Sequence, residues 1–320
     1  VVDCMKGHGK AIVSMSLRGS ILATSANDGT VRLWDLASSH SFREMDRHIW
    51  GVYTLLLHGV LLLSGSGDRS IKAWDGRTLD CLATLTGHTE QVSGLTARGT
   101  LLVSASNDGL IKAWSLEDVG CCKTLSVRDA VLTSVEMYNE DSILAGALDG
   151  TLYHIFFSSK NIEKYHPHEG AINKIVVWDK WVYTCSNDGT VAIIEAKTLK
   201  VRHRLAHEGL KVLDMLLRGD QMLTACSDGV IRLWNLKDCS CVRSFSGHRG
   251  AVNALALCGS RLVSGSADRT VKLWSLETGE CLNTYIYDFE ILSLTSNLDN
   301  LFVGTDDGRV FRFGLVDDLS

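Results

Sequence analysis

Proline is almost absent from this chain of 320 residues, which contains Pro167 alone. Hydrophobic residues make up 45% of the sequence and charged residues 22%. Disordered and linker-like chains are poor in hydrophobic residues and often rich in proline, so this composition excludes that class. We therefore expect a compact globular protein with a large core.

Long hydrophobic runs and an excess of one charge are also missing. No window approaches the roughly 18 uninterrupted apolar residues of a membrane span, and no signal-peptide pattern is present. The 32 Lys and Arg residues nearly balance the 37 Asp and Glu residues, giving a net charge of −5. We therefore expect no membrane insertion, no nucleic-acid partner, and an intracellular location in the cytoplasm, the nucleus or both. The chain begins at Val1 rather than methionine, which indicates one part of a longer polypeptide.

The ten cysteines lack the paired C-x₂₋₄-C spacing of a structural zinc site. Five of them align at one position of a repeated unit: Cys4, Cys81, Cys122, Cys241 and Cys281. Equivalent positions of different units lie too far apart for a disulfide bond. The sequence therefore predicts reduced thiols and no metal site.

Aspartates recur along the chain at intervals of 39 to 41 residues, at Asp28, Asp68, Asp108, Asp149, Asp188, Asp228, Asp268 and Asp307. A tryptophan stands six residues after five of them: Trp34, Trp74, Trp114, Trp234 and Trp274. A fixed period of this length is the mark of a repeat architecture. The 320 residues are therefore eight units of about forty residues rather than two unrelated domains.

Residues 248–285 show what one unit contains. The apolar runs AVNALAL, RLVSGS, TVKLW and CLNTY are separated by turn residues, which predicts a four-stranded antiparallel meander. One such sheet cannot bury both faces alone, so the units must stack radially. The predicted fold class is all-β, an eight-bladed β-propeller of four-stranded antiparallel blades; seven blades with one displaced unit are the alternative.

The segment GH…SGSADRTVKLWSL at residues 247–276, with close versions at 7–36, 87–116 and 227–236, resembles the WD-repeat propeller family. The resemblance covers the whole chain and implies one propeller domain over residues 1–320. Residues Val1 to Lys6 align with the outer strands of other units, so they are expected to complete the eighth blade and fasten the ring.

The resemblance also implies a structural tetrad of His, Ser or Thr, Asp and Trp in each blade, which satisfies buried polar groups together. It maps onto five blades, as His8, Thr24, Asp28 and Trp34; His48, Ser64, Asp68 and Trp74; His88, Ser104, Asp108 and Trp114; His207, Thr224, Asp228 and Trp234; and His248, Ser264, Asp268 and Trp274. Blades four and five depart from it at Ala145, Ile155 and Ile194, and blade eight keeps only Asp307. Recurring once per blade, these His and Asp residues indicate scaffolding rather than catalytic pairs.

Partners of this family commonly meet one propeller face, at two positions that begin the innermost strand and at the residue before the turn aspartate. The candidates for this partner-binding face are Trp50, Tyr53, Asn27, Asn107, Asn173, Asn187, Lys211 and Asn253. Trp178 and Trp181 are candidates for a second contact on the opposite face. The mapped positions hold one cation and no arginine, which disfavours a phosphate-binding clasp.

No catalytic motif, cofactor motif or small-molecule site appears outside the repeat pattern. We expect a non-enzymatic interaction scaffold that recognises a peptide or protein on a propeller face. The resemblance favours the substrate-receptor domain of an E3 ubiquitin ligase. A scaffold subunit of a cytoskeletal, trafficking, chromatin or RNA-processing complex is the alternative, and a catalytic domain attached elsewhere in the polypeptide stays open.

Overall fold

A computed structural model of the chain describes residues 2–36, 40–44, 48–76, 78, 80–118, 120–127, 129–297 and 300–314. The regular elements of these residues are β-strands, as the alternating patterns predict. None of them is a helix long and apolar enough to cross a membrane.

The strands of the first half are β1 (Val2–Met5), β2 (Ile12–Arg18), β3 (Ile21–Ala26), β4 (Val31–Asp35), β5 (His40–Glu44), β6 (Val52–His58), β7 (Leu61–Ser66), β8 (Ile71–Asp75), β9 (Cys81–Leu85), β10 (Val92–Arg98), β11 (Leu101–Ser106), β12 (Leu110–Ser115), β13 (Gly120–Ser126), β14 (Leu132–Met137), β15 (Ser142–Ala147) and β16 (Leu152–Phe156).

Those of the second half are β17 (Ile162–Tyr165), β18 (Ile172–Trp178), β19 (Trp181–Ser186), β20 (Thr190–Glu195), β21 (Lys200–Ala206), β22 (Val212–Arg218), β23 (Gln221–Cys226), β24 (Ile231–Asn235), β25 (Ser240–Phe245), β26 (Val252–Cys258), β27 (Arg261–Ser266), β28 (Thr270–Ser275), β29 (Cys281–Ile286), β30 (Ile291–Ser296), β31 (Asn300–Thr305) and β32 (Val310–Gly314).

These strands form eight four-stranded antiparallel sheets, the blades. Blades 1 to 7 take four consecutive strands each, from β2–β5 to β26–β29, and blade 8 takes β30, β31, β32 and β1. The fold is an eight-bladed β-propeller, so the prediction of eight blades is confirmed and the seven-bladed alternative is wrong. The forty-residue period gives this number directly, because each period supplies four strands, the number in one blade.

The chain divides into two compact units, which are described separately. Unit 1 is Val1–Glu44 with Val212–Ser320, and unit 2 is Met45–Lys211. In unit 1 the innermost strands β22, β26, β30 and β2 pack successively, and in unit 2 β6, β10, β14 and β18 do the same. Apolar side chains fill the space between blades; Leu63 and Ile71 of blade 2, for example, share a cluster with Val92 and Trp114 of blade 3. Each blade therefore buries the face that it cannot cover alone.

A β-bulge recurs in the innermost strand of every blade, where the pairing register skips one residue. In blade 2 the skipped residue is Tyr53, between Val52 and Thr54. A bulge re-aims the side chain of the extra residue. The loops that carry the tetrad histidines and the turns between second and third strands form one surface, which we call the His-loop face. The bulge therefore directs one side chain per blade toward this face.

The cysteine alignment needs one correction. Cys81, Cys121, Cys241 and Cys281 each pair with the tryptophan of the preceding strand at a second bulge. Cys121, and not Cys122, therefore holds the repeated position, and Cys4 lies elsewhere because it pairs with Phe311. The spacing from tryptophan to cysteine is seven residues in all four blades, so the sequence itself distinguishes Cys121 from Cys122. All ten cysteines are free thiols.

The N-terminal strand closes the eighth blade, as the sequence predicts. Strand β1 pairs with β32 along four residues, from Val2 with Phe313 to Met5 with Val310. Met5 is buried in a cluster with Ile12, Trp34 and Phe302. The first residues of the chain thus complete a sheet made by the last ones.

Removal of residues 1–6 should lower the stability of the whole protein, because it uncovers the edge of β32 and removes Met5 from the core. Met5→Ala alone should cost about 2–3 kcal/mol of unfolding free energy, as expected for a buried methionine. Lys6→Ala, which changes an exposed neighbour, is the control and should cost less than about 0.5 kcal/mol. Denaturant unfolding measures all three; a truncated protein as stable as the parent would contradict strand closure.

Candidate functional site

Each complete tetrad is a chain of hydrogen bonds with one consistent proton arrangement. In blade 3, His88 Nδ1 lies 3.0 Å from Asp108 Oδ2, and His88 Nε2 lies 2.7 Å from Ser104 Oγ. Because the carboxylate only accepts, Nδ1–H donates to it, and the serine hydroxyl donates to Nε2. Ser104 Oγ then accepts the Trp114 Nε1–H at 2.9 Å. All four buried polar side chains are satisfied together.

Blades 2 and 7 repeat this geometry. The His–Asp distances are 2.8 Å for His48–Asp68 and 2.9 Å for His248–Asp268. The His–Ser distances are 2.8 Å to Ser64 and 2.7 Å to Ser264, and Trp74 and Trp274 donate to these serines at 2.9 and 2.8 Å.

The turn aspartate also joins two surface segments. Asp268 Oδ2 accepts the Arg249 amide at 2.8 Å, and Oδ1 accepts the Thr270 amide at 2.9 Å. One carboxylate thus fixes the loop after the histidine to the turn between the second and third strands. The His-loop face is therefore held by a buried network rather than by its own side chains.

Other blades depart from the pattern in ways that the structure specifies. In blade 1 His8 contacts Thr24 at 2.7 Å, but His8 Nδ1 is 3.9 Å from Asp28 and is joined to it through Thr30. Blade 5 keeps His168–Asp188 and His168–Thr184 at 3.0 and 2.8 Å with Ile194 at the tryptophan position.

The residues that the sequence assigns to the blade 6 tetrad fall in different units and are described separately. Within unit 1, Trp234 donates to Thr224 at 3.1 Å, and Arg232 donates to Asp228 at 2.8 Å. In unit 2, His207 is buried and its Nδ1 lies 3.2 Å from the Gly189 carbonyl oxygen. Arg232 on Asp228 is a partner that the family pattern does not predict.

In blades 3, 5 and 7 the surroundings favour the neutral imidazole, and in blade 7 they favour the charged carboxylate. Burial lowers the pKa of His88, His168 and His248, although the neighbouring aspartates favour the charged form. Burial would raise the pKa of Asp268, but hydrogen bonds from Thr270, the Arg249 amide and His248 outweigh it and lower the pKa to about 2.

One cluster in blade 4 has the composition of a hydrolase triad. His154 Nε2 lies 2.9 Å from Ser142 Oγ, and His154 Nδ1 lies 3.8 Å from Glu163 Oε2. Ser142 is completely buried, so a substrate has no access to its hydroxyl. The cluster therefore satisfies polar groups in a blade that has Ala145 and Ile155 at two tetrad positions.

The predicted contact residues Trp50 and Tyr53 both reach the His-loop face of unit 2. Trp50 is 67% exposed and Tyr53 is 36% exposed. Blade 2 has Gly67 before its turn aspartate, and a Cβ at this glycine would lie 3.1 Å from the Tyr53 ring and 3.5 Å from Trp50 Cβ. The missing side chain therefore leaves room for the Tyr53 ring and for the Cβ of Trp50.

Several predicted polar contacts are already occupied within the protein. At the bulge position of other blades, Asn253 Nδ2 donates to the Ile291 carbonyl at 2.8 Å, and Ser93 donates to the Leu132 carbonyl. Asn173 Nδ2 donates to the Asn187 side chain at 2.9 Å. These residues tie parts of one unit together, whereas no hydrogen bond joins the Tyr53 side chain to another described residue.

The remaining candidates on this face differ in exposure. Asn27 and Lys211 are exposed, and Asn107 is half-buried. The backbone amides of Asn27, Asn107 and Asn187 donate to the loops beside them, at 2.9 to 3.0 Å. The position before the turn aspartate is thus held by its backbone, whichever side chain it carries.

On the opposite face of unit 2, Trp178 and Trp181 pair across the β18–β19 turn. Trp178 is 60% exposed, and Lys180 covers the Trp181 ring with its ammonium group 5.8 Å from the ring centroid. Trp178 is therefore the accessible member of the predicted pair.

Three further apolar residues of the His-loop face are exposed: Ile49, Val131 and Leu148. Val131 and Leu148 hold mapped face positions, near the start of the innermost strand and before the turn aspartate, whereas Ile49 was not predicted. Ile49 follows a tetrad histidine at a position where most blades carry a polar residue or glycine. This departure from the repeat could have identified Ile49 as a contact candidate from the sequence. Within the described ranges, no group of three or more His, Cys, Asp or Glu side chains is arranged to hold a metal ion.

Comparisons with known proteins agree with this architecture. A family model described as WD domain, G-beta repeat matches residues 1–35, 40–75, 79–115 and 239–275. A solved structure of the computationally designed Ika8 protein superposes with a TM-score of 0.88 at 24% identity, covering 97% of this chain and 98% of that one. At this identity the likeness concerns the fold alone.

The similarity to curated proteins is confined to short segments. A p21-activated protein kinase-interacting protein 1-like protein is 31% identical over 94 residues in Xenopus laevis and 30% identical over 94 residues in Gallus gallus. Each match covers 29% of this chain and about a quarter of the relative, 26% and 25%. An uncharacterized WD repeat-containing protein of Schizosaccharomyces pombe is 37% identical over 73 residues, 22% of this chain and 18% of that protein.

Asp268→Ala should destabilise the protein by about 3 kcal/mol, because it leaves the buried His248 Nδ1–H and two backbone amides without their acceptor. Asp149 is the matched control. It holds the same turn position in blade 4, and the hydrogen bond recorded for its side chain comes from the Thr151 amide at 3.0 Å. Asp149→Ala should cost about 1 kcal/mol or less. Thermal or denaturant melts compare the two; equal losses would argue against the tetrad as the stabilising unit.

Stability should fall as the pH drops below about 6.5. The pKa values of His88, His168 and His248 lie below the usual 6.5 in the folded state, so the unfolded chain takes up protons first. Each histidine then lowers the free energy of unfolding by at most about 1.4 kcal/mol per pH unit, until the pH reaches the pKa of that histidine in the folded protein. The lowered pKa of Asp268 extends the loss below pH 3.8. A melting temperature that stays constant between pH 7 and pH 5 would refute this.

Proposed function

The chain is an eight-bladed β-propeller with WD40 repeats, consistent with a WD-repeat propeller family, and we propose that it is a non-enzymatic scaffold whose His-loop face binds a protein or peptide. The observation that carries the proposal is the pair Trp50 and Tyr53 on this face of unit 2. Both side chains are accessible, and the described structure gives neither ring a polar partner inside the protein.

Aromatic residues of this kind are common binding hot spots, because they bury a large area while losing little conformational freedom. The backbone beneath Trp50 is fixed, since the Ser66 hydroxyl donates to the Trp50 and Gly51 carbonyls at 3.0 Å. A fixed anchor reduces the entropy that binding would otherwise cost. The names of the frog and chicken relatives, which describe interaction with a p21-activated protein kinase, also support protein binding.

The finer part of the proposal is a role as the substrate-receptor domain of an E3 ubiquitin ligase. Its support is the resemblance of the blade-linking segment ETGECLNTY, residues 277–285, to propellers that follow RING, U-box or F-box modules. Under this proposal, ubiquitin-ligase subunits or ubiquitinated proteins should accompany the protein when it is purified from cells.

Affinity purification with wild-type protein and with the variant Trp50→Ala/Tyr53→Ala tests the binding face. Each hot-spot truncation should cost about 2 kcal/mol or more, so partners should be lost from the double variant. Leu82→Ala removes an exposed apolar side chain from strand β9 of the same blade and should retain them. Equal recovery by all three proteins, at unchanged melting temperatures, would show that Trp50 and Tyr53 do not form the contact.

A further inference from the structure

Exposed hydrophobic side chains of unit 2 are concentrated on the His-loop face. Five of them form what we call the apolar patch: Ile49, Trp50, Tyr53, Val131 and Leu148. Ile49 is the most exposed, at 86%. The patch comes from blades 2 and 4, whose innermost strands β6 and β14 both pack against β10 of blade 3. A ligand that contacts both parts must therefore cross blade 3.

The apolar patch is built on fixed backbone. In blade 4, the Leu148 amide donates to the Val131 carbonyl at 2.9 Å, which holds these two residues together. In blade 2, the Gly67 amide donates to the Gly51 carbonyl at 3.0 Å, directly below Trp50 and Tyr53. The patch is therefore present before a ligand arrives, and little ordering is needed on binding.

Exposed carboxylates accompany the apolar patch. Asp149 follows Leu148, Asp129 precedes Val131 by two residues, and Glu90 lies in the blade 3 loop between the two parts. None of the three has an ion pair within the described part of the chain. Their charges are therefore available to a ligand.

The balance of charge on this face of unit 2 is negative. Glu169 and Glu208 add two further exposed carboxylates, whereas the exposed cations among its described loop and turn residues are Arg69 and Lys211. The corresponding loops and turns of unit 1 carry the exposed cations Lys10, Arg249 and Arg269, which are balanced by the exposed carboxylates Asp288, Glu290 and Asp306. A negative balance among the exposed charges is thus found in the unit that holds the apolar patch.

We propose that the ligand of this face is a cationic, apolar peptide segment in which bulky hydrophobic side chains alternate with Lys or Arg. This rests on the proposed binding face and specifies the class of partner. The hydrophobic side chains pack on the apolar patch, and the cations lie against Glu90, Asp129 and Asp149. An acidic or phosphorylated segment meets carboxylates beside the same patch and is rejected.

Selection from a phage-displayed library of random nonapeptides tests the chemistry without assuming a sequence. The relevant peptides are those that bind the wild-type protein but not the variant Trp50→Ala/Tyr53→Ala. They should carry Lys and Arg at least threefold more often than Asp and Glu, together with Leu, Ile, Phe or Trp. The enriched peptides are then synthesised with a fluorescent label and measured by anisotropy. Affinity should fall at least tenfold between 50 and 500 mM salt, because the attraction is between exposed charges.

The variant Glu90→Gln/Asp129→Asn/Asp149→Asn removes the charges and keeps the shapes. It should weaken the selected cationic peptides about tenfold and leave the same peptides with Gln in place of Lys and Arg unaffected. The matched control Glu117→Gln/Glu140→Gln/Asp179→Asn neutralises three exposed carboxylates in other turns of unit 2 and should change neither affinity.

The outcomes separate this proposal from the function on which it rests. Selected peptides that need Trp50 and Tyr53 but show no excess of cations, or bind the triple variant equally, would overturn the cationic specificity and leave the binding face intact. Enriched peptides that bind the Trp50→Ala/Tyr53→Ala variant as tightly as the wild type would overturn both the cationic specificity and the proposed binding face.

Discussion

The buried histidine of each complete blade is the constraint on which the rest of the propeller depends. An imidazole such as that of His88 has two polar nitrogens and almost no exposed surface, so both need partners inside the protein. Ser104 and Asp108 provide them, and in doing so connect an inner strand, a loop and a turn. The same carboxylate accepts the amide of Thr89, the residue after the histidine. A requirement of the core thus determines the position of the surface that partners meet.

Blades without the full network are held by other interactions. In blade 8 the position of the tryptophan is taken by Phe313, which packs against Tyr285 at a centroid distance of 5.1 Å, while Tyr287 packs against Phe311 at 4.8 Å. Aromatic packing therefore replaces a polar network there. In blade 4 the Ser142–His154 pair lies in the interior instead. The array tolerates such changes because each blade is also held by its neighbours.

The sequence predicts the fold well because one period of forty residues equals one sheet, and because the aspartates mark the same turn in each. It predicts the closing strand for the same reason, since Met5 aligns with buried positions of other outer strands. The alignment of Cys122 and Cys4 with the repeated cysteines is wrong, although the seven residues that separate each tryptophan from its paired cysteine already indicate Cys121. The engagement of Asn253 and Ser93 with neighbouring strands depends on contacts 38 and 39 residues away in the chain, which no local pattern encodes. Only a comparison with these two residues shows that Tyr53, at the same bulge position, makes no side-chain hydrogen bond to another described residue.

The central claim is that buried tetrads hold the His-loop face in place, and hydrogen exchange of single amides tests it most directly. The amides of Ile49, Thr89, Glu169 and Arg249 all donate to turn aspartates, at 2.8 to 3.0 Å, although these residues are exposed. Phe289 holds the same position in blade 8, and the described structure shows no aspartate accepting its amide. The account predicts slow exchange at the four bonded amides and fast exchange at Phe289. Exchange of the four amides as fast as that of Phe289 would contradict it.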